Sequence, residues 1–332
     1  MKKFYRFSLY SLIISLSLAA VVNALPQREA YLPVEKKDFI TWVDFNVSYE
    51  ALSDCLEYDI NTYGTKEHAN WIELLAYLAS SGSGNFDTYK KSTLKKLTDE
   101  IKSGKTIEEL SKKLKYYSYY LEAYDAVLGG FVGEYEIEKD DGTFEKKYGL
   151  KAFSPIARGY SYSHFDDFGA SRSYGFKRKH LGHDMMGSVG TPIIAVESGY
   201  VECVGWNQYG GWRIGIRSFD KKRYYYYAHL RRDHPYNDMY EGKIVTAGDV
   251  IGYLGMTGYS TKENVNNINT PHLHWGMQLI FDESQKDANS EIWIDVYAIT
   301  KLLERNKSAV VRNDEEKEYE RKYEMFEKGM EK

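Results

Sequence analysis

The most informative stretch of the chain is Pro271-His272-Leu273-His274-Trp275-Gly276-Met277-Gln278-Leu279. Apolar side chains stand at positions 273, 275, 277 and 279, which is the period of a β-strand with one buried face. His272 and His274 alternate with them, so both imidazoles face the other side of the strand. The stretch therefore predicts a sheet that carries a histidine pair suited to metal binding or catalysis.

Other short apolar runs around this stretch predict further strands. They cover residues 193–196, 200–204, 212–216, 223–228 and 250–254. Gly210-Gly211 lies between two of these runs and predicts a hairpin turn, while the glycines between 248 and 258 predict repeated tight turns. A mostly antiparallel sheet domain follows from this pattern.

Seven of the eight histidines lie between positions 164 and 274, and several are spaced for a common site. His180 and Asp184 are four residues apart around Gly182, which places both on one side of an extended segment. His183, at an odd offset, is predicted to point away, either supporting the site from behind or lying at the surface. His229 ends the run 224–228 and reaches the site from a third segment.

Four histidines and one aspartate together predict a hydrolytic zinc site; they are His180, Asp184, His229, His272 and His274. Zinc in hydrolases takes three protein ligands and leaves a fourth position to water, whose pKa it lowers to about 7. The two remaining side chains could accept a proton or stabilise an oxyanion. Because the chain has two cysteines, a cysteine-rich zinc site is excluded.

Six motifs occur in a defined order over residues 154–300. They are His180-x-Gly-x-Asp184, Gly190-Thr191-Pro192-Ile193-x-Ala195, Gly199-x-Val201, Tyr227-Ala228-His229-Leu230, Gly248-x-x-Ile251-Gly252-x-x-Gly255-x-Thr257-Gly258-x-Ser260 and Pro271-His272-Leu273-His274. This set resembles the lysostaphin/LytM-type zinc metallopeptidases, which are peptidoglycan endopeptidases.

The resemblance implies roles for the five candidates. It implies that His180, Asp184 and His274 bind one Zn²⁺ ion and that His229 and His272 form the catalytic pair. It also implies hydrolysis of peptide bonds in cell wall peptidoglycan, within a groove floored by an antiparallel sheet. Residues 261–270, with four asparagines, form a longer link than the family usually has, which predicts a remodelled groove wall.

The segment before residue 151 has a different, helical period. Thr106 and Glu109 form a capping-box pattern, and apolar residues from Ile107 to Leu128 follow at spacings of three and four, which predicts one helix ended by Gly129-Gly130. Residues 71–78 and the set Leu94, Leu97 and Ile101 predict two more helices. The predicted fold class is thus α+β, an N-terminal helical bundle followed by a mostly antiparallel β-sheet metallopeptidase domain. The bundle could bind the wall, recruit a protein partner or cover the groove as an inhibitory lid.

The predicted organisation has four parts. Residues 1–24 read as a signal peptide, with three basic residues before an apolar run that ends in Val22-Asn23-Ala24. Residues 25–150 are the helical domain, 151–300 the peptidase domain, and 301–332 a charged tail, whose stretch 312–332 is interpreted as a solvated helix or a loose tail. The protein is therefore expected to be secreted or associated with the cell wall. The alternative is a membrane anchor, because the run is close to the length that spans a bilayer.

The net charge of −4 gives no positive field for nucleic acid, and none is expected as a partner. Whether Cys55 and Cys203 pair is left open by the sequence.

The main rival function is that of a membrane-anchored, non-catalytic interaction protein of cell division or sporulation. The presence of all five candidate residues favours the enzyme. A third reading keeps the zinc site for a carboxypeptidase or for another extracellular peptide.

Overall fold

The computed structural model describes residues 39–173, 177–286 and 290–327. The predicted signal segment, residues 1–24, lies outside the described residues. The described chain has an α+β fold and forms part of one compact unit, Phe39–Lys332. Among the helices described, none is both long and apolar enough to cross a membrane. Cys55 and Cys203 are both free thiols.

Six α-helices are present in the described residues. They are α1 (Tyr49–Thr62), α2 (Trp71–Ser81), α3 (Lys91–Lys102), α4 (Ile107–Ser111), α5 (Tyr117–Leu128) and α6 (Tyr297–Leu303). A short 3₁₀ helix spans Glu283–Lys286. The predictions of helices at 71–78 and around Leu94, Leu97 and Ile101 are confirmed by α2 and α3.

The single helix predicted from Thr106 is wrong, because the chain forms two helices there. Thr106 and Glu109 do make the predicted capping box, which satisfies free N–H groups at the start of α4. The amide of Leu114 then donates to the Ser111 carbonyl and that of Tyr117 to the Leu114 carbonyl, at 2.8 and 3.2 Å. These two turns end α4, and α5 begins anew.

Sixteen strands are present in the described residues. They are β1 (Val132–Glu138), β2 (Phe144–Leu150), β3 (Ser171–Ser173), β4 (Lys177–Lys179), β5 (His183–Met186), β6 (Pro192–Ile194), β7 (Gly199–Asn207), β8 (Gly211–Ser218), β9 (Arg223–Ala228), β10 (Ile244–Val245), β11 (Val250–Tyr253), β12 (His272–Leu279), β13 (Ile292–Ile294), β14 (Val310–Asn313), β15 (Glu318–Arg321) and β16 (Met325–Glu327). All six strands predicted from apolar runs are confirmed, as is the β7–β8 hairpin at Gly210-Gly211.

A seven-stranded antiparallel sheet organises the molecule around β12. Its order is β10-β7-β8-β9-β12-β13, and β5 pairs with the first half of β12. The apolar residues of β12 are buried, as their alternation predicts. His274 pairs in register with Asp184 of β5 on one side and with Ala228 of β9 on the other. The sheet thus brings three distant segments to one point.

Two segments outside this sheet differ from the predictions. Strands β1 and β2, within the region predicted to be helical, form a hairpin whose turn contains Gly142 at φ 76°. The segment predicted to be a solvated helix or loose tail forms the β14–β15 hairpin and β16, which pairs with β1. Burial of Met325 in a small core with Phe153 and Tyr253 explains why this charged segment is ordered.

Candidate metal centre and active-site cleft

Three side chains converge on one point between β5 and β12. His180 precedes β5, Asp184 lies in β5, and His274 lies in β12. His180 Nε2 is 3.0 Å from Asp184 Oδ1 and 3.1 Å from His274 Nδ1, and His274 Nδ1 is 2.9 Å from Asp184 Oδ1. Within the described part of the chain these three form the one group of at least three side chains that could hold a metal ion.

The chemistry of this group fits a divalent cation. His180 Nδ1 lies 3.0 Å from Asp167 Oδ1, so a His180 that donates through Nδ1 to this carboxylate would present the lone pair of its Nε2 to a cation. Burial would raise the pKa of Asp184, but hydrogen bonds from His180 and His274 outweigh it and hold that pKa well below its usual range. Two imidazole nitrogens and a carboxylate are a donor set that zinc takes in proteins.

Asp167 and Arg172 also belong to the site, although no spacing in the sequence singles them out. Asp167 hydrogen-bonds His180 Nδ1 and forms an ion pair with Arg172, whose Nη2 also lies 3.2 Å from Asp184 Oδ2. A carboxylate on the far nitrogen of a metal-binding histidine fixes its tautomer and orientation. The sequence shows only that an acidic residue precedes His180. No rule of spacing links the two residues, so the sequence alone does not select Asp167.

His229 and His272 lie side by side next to the three converging residues. Their ring centroids are 4.8 Å apart, and His272 Nε2 is 3.8 Å from Asp184 Oδ1. Each donates through Nδ1 to a backbone carbonyl, His229 to Thr257 at 2.9 Å and His272 to Thr270 at 2.8 Å. Burial lowers the pKa of His229 well below its ordinary value, so its ring is neutral with an unprotonated Nε2.

His183 faces away from these residues, as its odd offset predicts. The alternative that it lies at the surface is wrong, because it is only 2% exposed. Its Nε2 lies 2.7 Å from His164 Nδ1, and its ring packs against Tyr297. Burial lowers the pKa of His183 to about 3, so this histidine is a neutral support on the face of β5 opposite Asp184.

All five candidate residues line one cleft of about 180 Å³. Its other lining residues are Arg172, Arg178, Tyr209, Gly210, Tyr226, Ala228 and Tyr259. Every one of them lies between positions 172 and 274, so no described residue of the helical segment covers the cleft. The hypothesis of an inhibitory lid therefore finds no support in the described residues. A larger cavity of about 660 Å³, lined by Asp44, Asp166 and Asp295 among others, lies elsewhere.

An antiparallel sheet that presents two histidines and an aspartate beside two further histidines is typical of metal-dependent hydrolases. Comparison with known proteins identifies the class more closely: residues 178–288 match peptidase family M23. The resemblance to the lysostaphin/LytM-type peptidases is thereby confirmed.

Two relatives and one solved structure illustrate the similarity. The chain is 40% identical over 123 residues to the L-Ala–D-Glu endopeptidase of Bacillus subtilis, covering 37% of this chain and 36% of that protein. It is 39% identical over 97 residues to lysostaphin of Staphylococcus simulans, covering 29% of this chain and 17% of that protein. A crystal structure of a lytM protein from Ruminococcus gnavus covers 81% of this chain and 92% of that chain, with a TM-score of 0.54 and 22% identity, a likeness of fold. The matched segment thus spans well under half the length of either relative.

Proposed function

We propose that the protein is an exported zinc metalloendopeptidase that hydrolyses peptide bonds in bacterial peptidoglycan. The observation that carries the proposal is the convergence of His180 Nε2, Asp184 Oδ1 and His274 Nδ1 within 3.1 Å of one another. The match of residues 178–288 to family M23 and the names of the relatives, which are endopeptidases, support the reaction class.

In this proposal His180, Asp184 and His274 hold the zinc ion. When bound, zinc lowers the pKa of a coordinated water and polarises a substrate carbonyl. His229 and His272 then handle protons. Because each imidazole keeps its Nδ1 proton on a backbone carbonyl, its Nε2 is free to take a proton from the attacking water or, once protonated, to stabilise the developing oxyanion.

The names of the similar proteins state different bonds, which are L-Ala–D-Glu for the Bacillus subtilis relative and Gly–Gly for the Ruminococcus gnavus structure. For this chain we keep three candidates for the cleaved bond: a stem-peptide bond, a Gly–Gly bridge and a D-Ala–diaminopimelate cross-link.

The proposal of export rests on the composition of residues 1–24. The rival role, a non-catalytic interaction protein, would need no intact donor set, whereas all five candidate side chains line the cleft.

The test is digestion of purified peptidoglycan by the form comprising residues 25–332, with zinc, with a chelator, and with His272→Ala as control. We expect chelator-sensitive release of defined fragments, whose masses identify the bond. If the zinc-loaded, folded protein releases nothing, the endopeptidase proposal is wrong and the interaction role takes its place.

A further inference from the structure

A short ribbon beside the cleft places two arginines directly opposite each other. In the β3–β4 pair, Arg172 is in register with Arg178, and both line the cleft. Their strand neighbours, such as Lys177 and Lys179, are exposed on the other face. Like charges directly opposite on one face destabilise a strand pair. The pair is therefore unfavourable for the ribbon, but it places two positive charges in the cleft. The contacts of each arginine show whether its charge is paired within the fold.

Arg172 is neutralised within the fold, whereas Arg178 is not. Arg172 forms ion pairs with Asp167 and Asp184. The guanidinium of Arg178 lies 5.2 Å from the ring centroid of Tyr259 and hydrogen-bonds the Tyr259 hydroxyl. Its Nε is buried without a hydrogen-bond partner, and no carboxylate of the described ranges pairs with Arg178. Among the described lining residues, Arg178 is thus the cation that has no carboxylate partner and whose Nε donor is unused.

The other charged residues of the cleft do not compensate the positive charge of Arg178. Asp184 is the one carboxylate among the described lining residues, and it is already engaged with His180, His274 and Arg172. A divalent cation held by Asp184 would add further positive charge. The occupied cleft therefore attracts an anionic ligand.

The position of Arg178 sets how far from the reaction this anion lies. Arg178 and His229 both contact the Tyr259 ring, the guanidinium at 5.2 Å and the His229 ring at 5.8 Å from its centroid. The separation of Arg178 and His229 cannot exceed these two distances together. Because an extended peptide advances about 3.3 Å per residue, this upper limit corresponds to about three residues.

We propose that Arg178 is a specificity residue that binds a carboxylate of the peptide substrate within about three residues of the scissile bond. A guanidinium presents donors in a planar fork that matches a carboxylate, and such charge-assisted pairs are stronger than neutral ones. This inference rests on the proposed function and narrows it to peptides with an acidic residue beside the cleaved bond.

The experiment compares L-Ala–D-Glu–L-Lys–D-Ala with the same peptide carrying D-Gln, in two assays. Hydrolysis by the zinc-loaded full chain gives KM and kcat, and calorimetry on the His272→Ala background gives binding without relying on turnover. For the parent protein we expect the amide to reduce kcat/KM and affinity by about 10- to 100-fold, as hydrogen bonds to charged groups predict. The loss should appear mainly in KM.

Three variants locate the effect. Arg178→Gln should bind the acid and amide peptides equally, Arg178→Lys should discriminate weakly because it keeps the charge but loses the fork, and Lys177→Gln should behave as the parent. Thermal melting and zinc content check that each variant is folded and loaded.

The outcomes separate the two proposals. Equal binding of acid and amide by the parent protein, or discrimination retained in a folded Arg178→Gln, overturns the inference about Arg178. Hydrolysis of no peptide and no peptidoglycan overturns the endopeptidase function, while preferential binding of the acid on the His272→Ala background would still support the role of Arg178.

Discussion

At the residue scale, the two histidines of the His272-Leu273-His274 segment differ in their distance from Asp184 and in the partner of their Nδ1 atoms. His274 Nδ1 points at Asp184 Oδ1, 2.9 Å away, whereas His272 Nδ1 is held by the Thr270 carbonyl and its Nε2 stands 3.8 Å from the same oxygen. We expect His274→Ala to lose both zinc and activity. His272→Ala should keep zinc and lose turnover by about 10²- to 10⁴-fold, the usual contribution of a general acid or base.

Elemental analysis of the two purified variants, with melting curves recorded with and without added zinc, checks this prediction. The parent protein and His274→Ala should differ in their zinc-induced rise in Tm, while the parent and His272→Ala should agree. Equal zinc loss in both variants would show that the roles within the pair are misassigned.

Asp167 offers a prediction about orientation at the same site. Its carboxylate accepts from His180 Nδ1 at 3.0 Å, and Asp167→Asn removes the charge that favours this tautomer. Zinc affinity should fall by about 10- to 100-fold, as is typical when the partner of a metal-binding histidine is changed. Competition with a calibrated chelator measures it. Asp166→Asn, one residue away and exposed, is the matched control and should leave the affinity unchanged.

Sequence spacing predicted the five clustered residues but neither Asp167 nor the two arginines of the cleft. Parity along a strand tells which side chains share a face, so the two-residue spacing of His272 and His274 was enough to pair them. Asp167 reaches His180 through the return of a loop, and Arg172 meets Asp184 through the β3–β4 ribbon. Such contacts depend on tertiary geometry, which no local period encodes.

At the scale of elements, patterns with a clean period were predicted well and those without one were not. β12 and β9 lie where apolar runs predicted strands, and α2 lies where an apolar run predicted a helix. The break between α4 and α5 leaves the stripe of apolar residues intact, so spacing alone could not reveal it. The β1–β2 hairpin was missed, although Asp141-Gly142 is a recognised hairpin turn signal.

The segment before β5 yields a prediction about close packing. A Cβ at Gly182 would stand 2.5 Å from both Cε1 and Nε2 of His274 and 3.0 Å from the Trp275 carbonyl oxygen. Because neither the strand backbone nor the closely packed His274 ring can move freely, Gly182→Ala should displace His274, weaken zinc binding by at least about tenfold and destabilise the fold by about 1–3 kcal/mol.

Zinc titration and chemical denaturation measure these two effects. Gly149→Ala is the control, since its Cβ would meet only Ile60 Cδ1 at an ordinary 3.6 Å. If Gly182→Ala bound zinc as tightly as the parent protein, the close approach of the backbone to His274 would have no functional role.

The β7–β8 pair gives a prediction about pH. Glu202 on β7 accepts two hydrogen bonds from the buried guanidinium of Arg217 on β8 and lies 3.2 Å from Lys286 Nζ. Burial would raise the pKa of Glu202, but Arg217 and Lys286 outweigh it and lower the pKa. A carboxyl whose pKa is lower in the folded state stabilises the fold above its unfolded pKa, about 4.3, and loses this contribution as pH falls through the folded value.

The parent protein should therefore have a higher Tm than Glu202→Gln near neutral pH. This difference should shrink as Glu202 is protonated and disappear below about pH 4. Scanning calorimetry from pH 3 to 7 measures it. Glu145→Gln, which removes an exposed ion pair with Lys147, should change Tm little at any pH. A difference for Glu202→Gln that stays constant over this range would contradict the assignment.

At the scale of the whole molecule, the helical segment and the sheet share one hydrophobic core. Arg223 of β9 is 1% exposed and donates both to Glu197 and to the Ala126 carbonyl in α5, at 2.7 and 2.8 Å. Glu197 in turn accepts from the Tyr225 hydroxyl at 2.5 Å. A Cβ at Gly130 would overlap Glu197 Oε1, so the chain after α5 lies directly on this buried carboxylate.

The C-terminal segment closes the same unit from the other side. β16 pairs with β1, and Asn306 donates to the carbonyls of Leu150 and Ala152 at 3.1 and 2.9 Å. Helix α1 packs against α6. These contacts distribute the helical segment around the sheet and away from the cleft, which favours a structural role for it over an inhibitory one.

This arrangement predicts that the peptidase segment of this chain does not fold without the helical segment. A chain beginning at Ala152 would expose the face that packs on α5, leave Arg223 without the Ala126 carbonyl and leave β16 without β1. Losing a hydrogen bond to a charged group costs about 1.5–3 kcal/mol, and the exposed apolar face adds to this cost, against the 5–15 kcal/mol that stabilises a typical domain. We expect this truncated chain to lose its cooperative thermal transition and near-ultraviolet circular dichroism, whereas a chain beginning at Phe39 keeps both. A cooperative transition in the chain from Ala152, with peptidoglycan hydrolysis at the parent rate, would show instead that the helical segment is dispensable for both folding and catalysis.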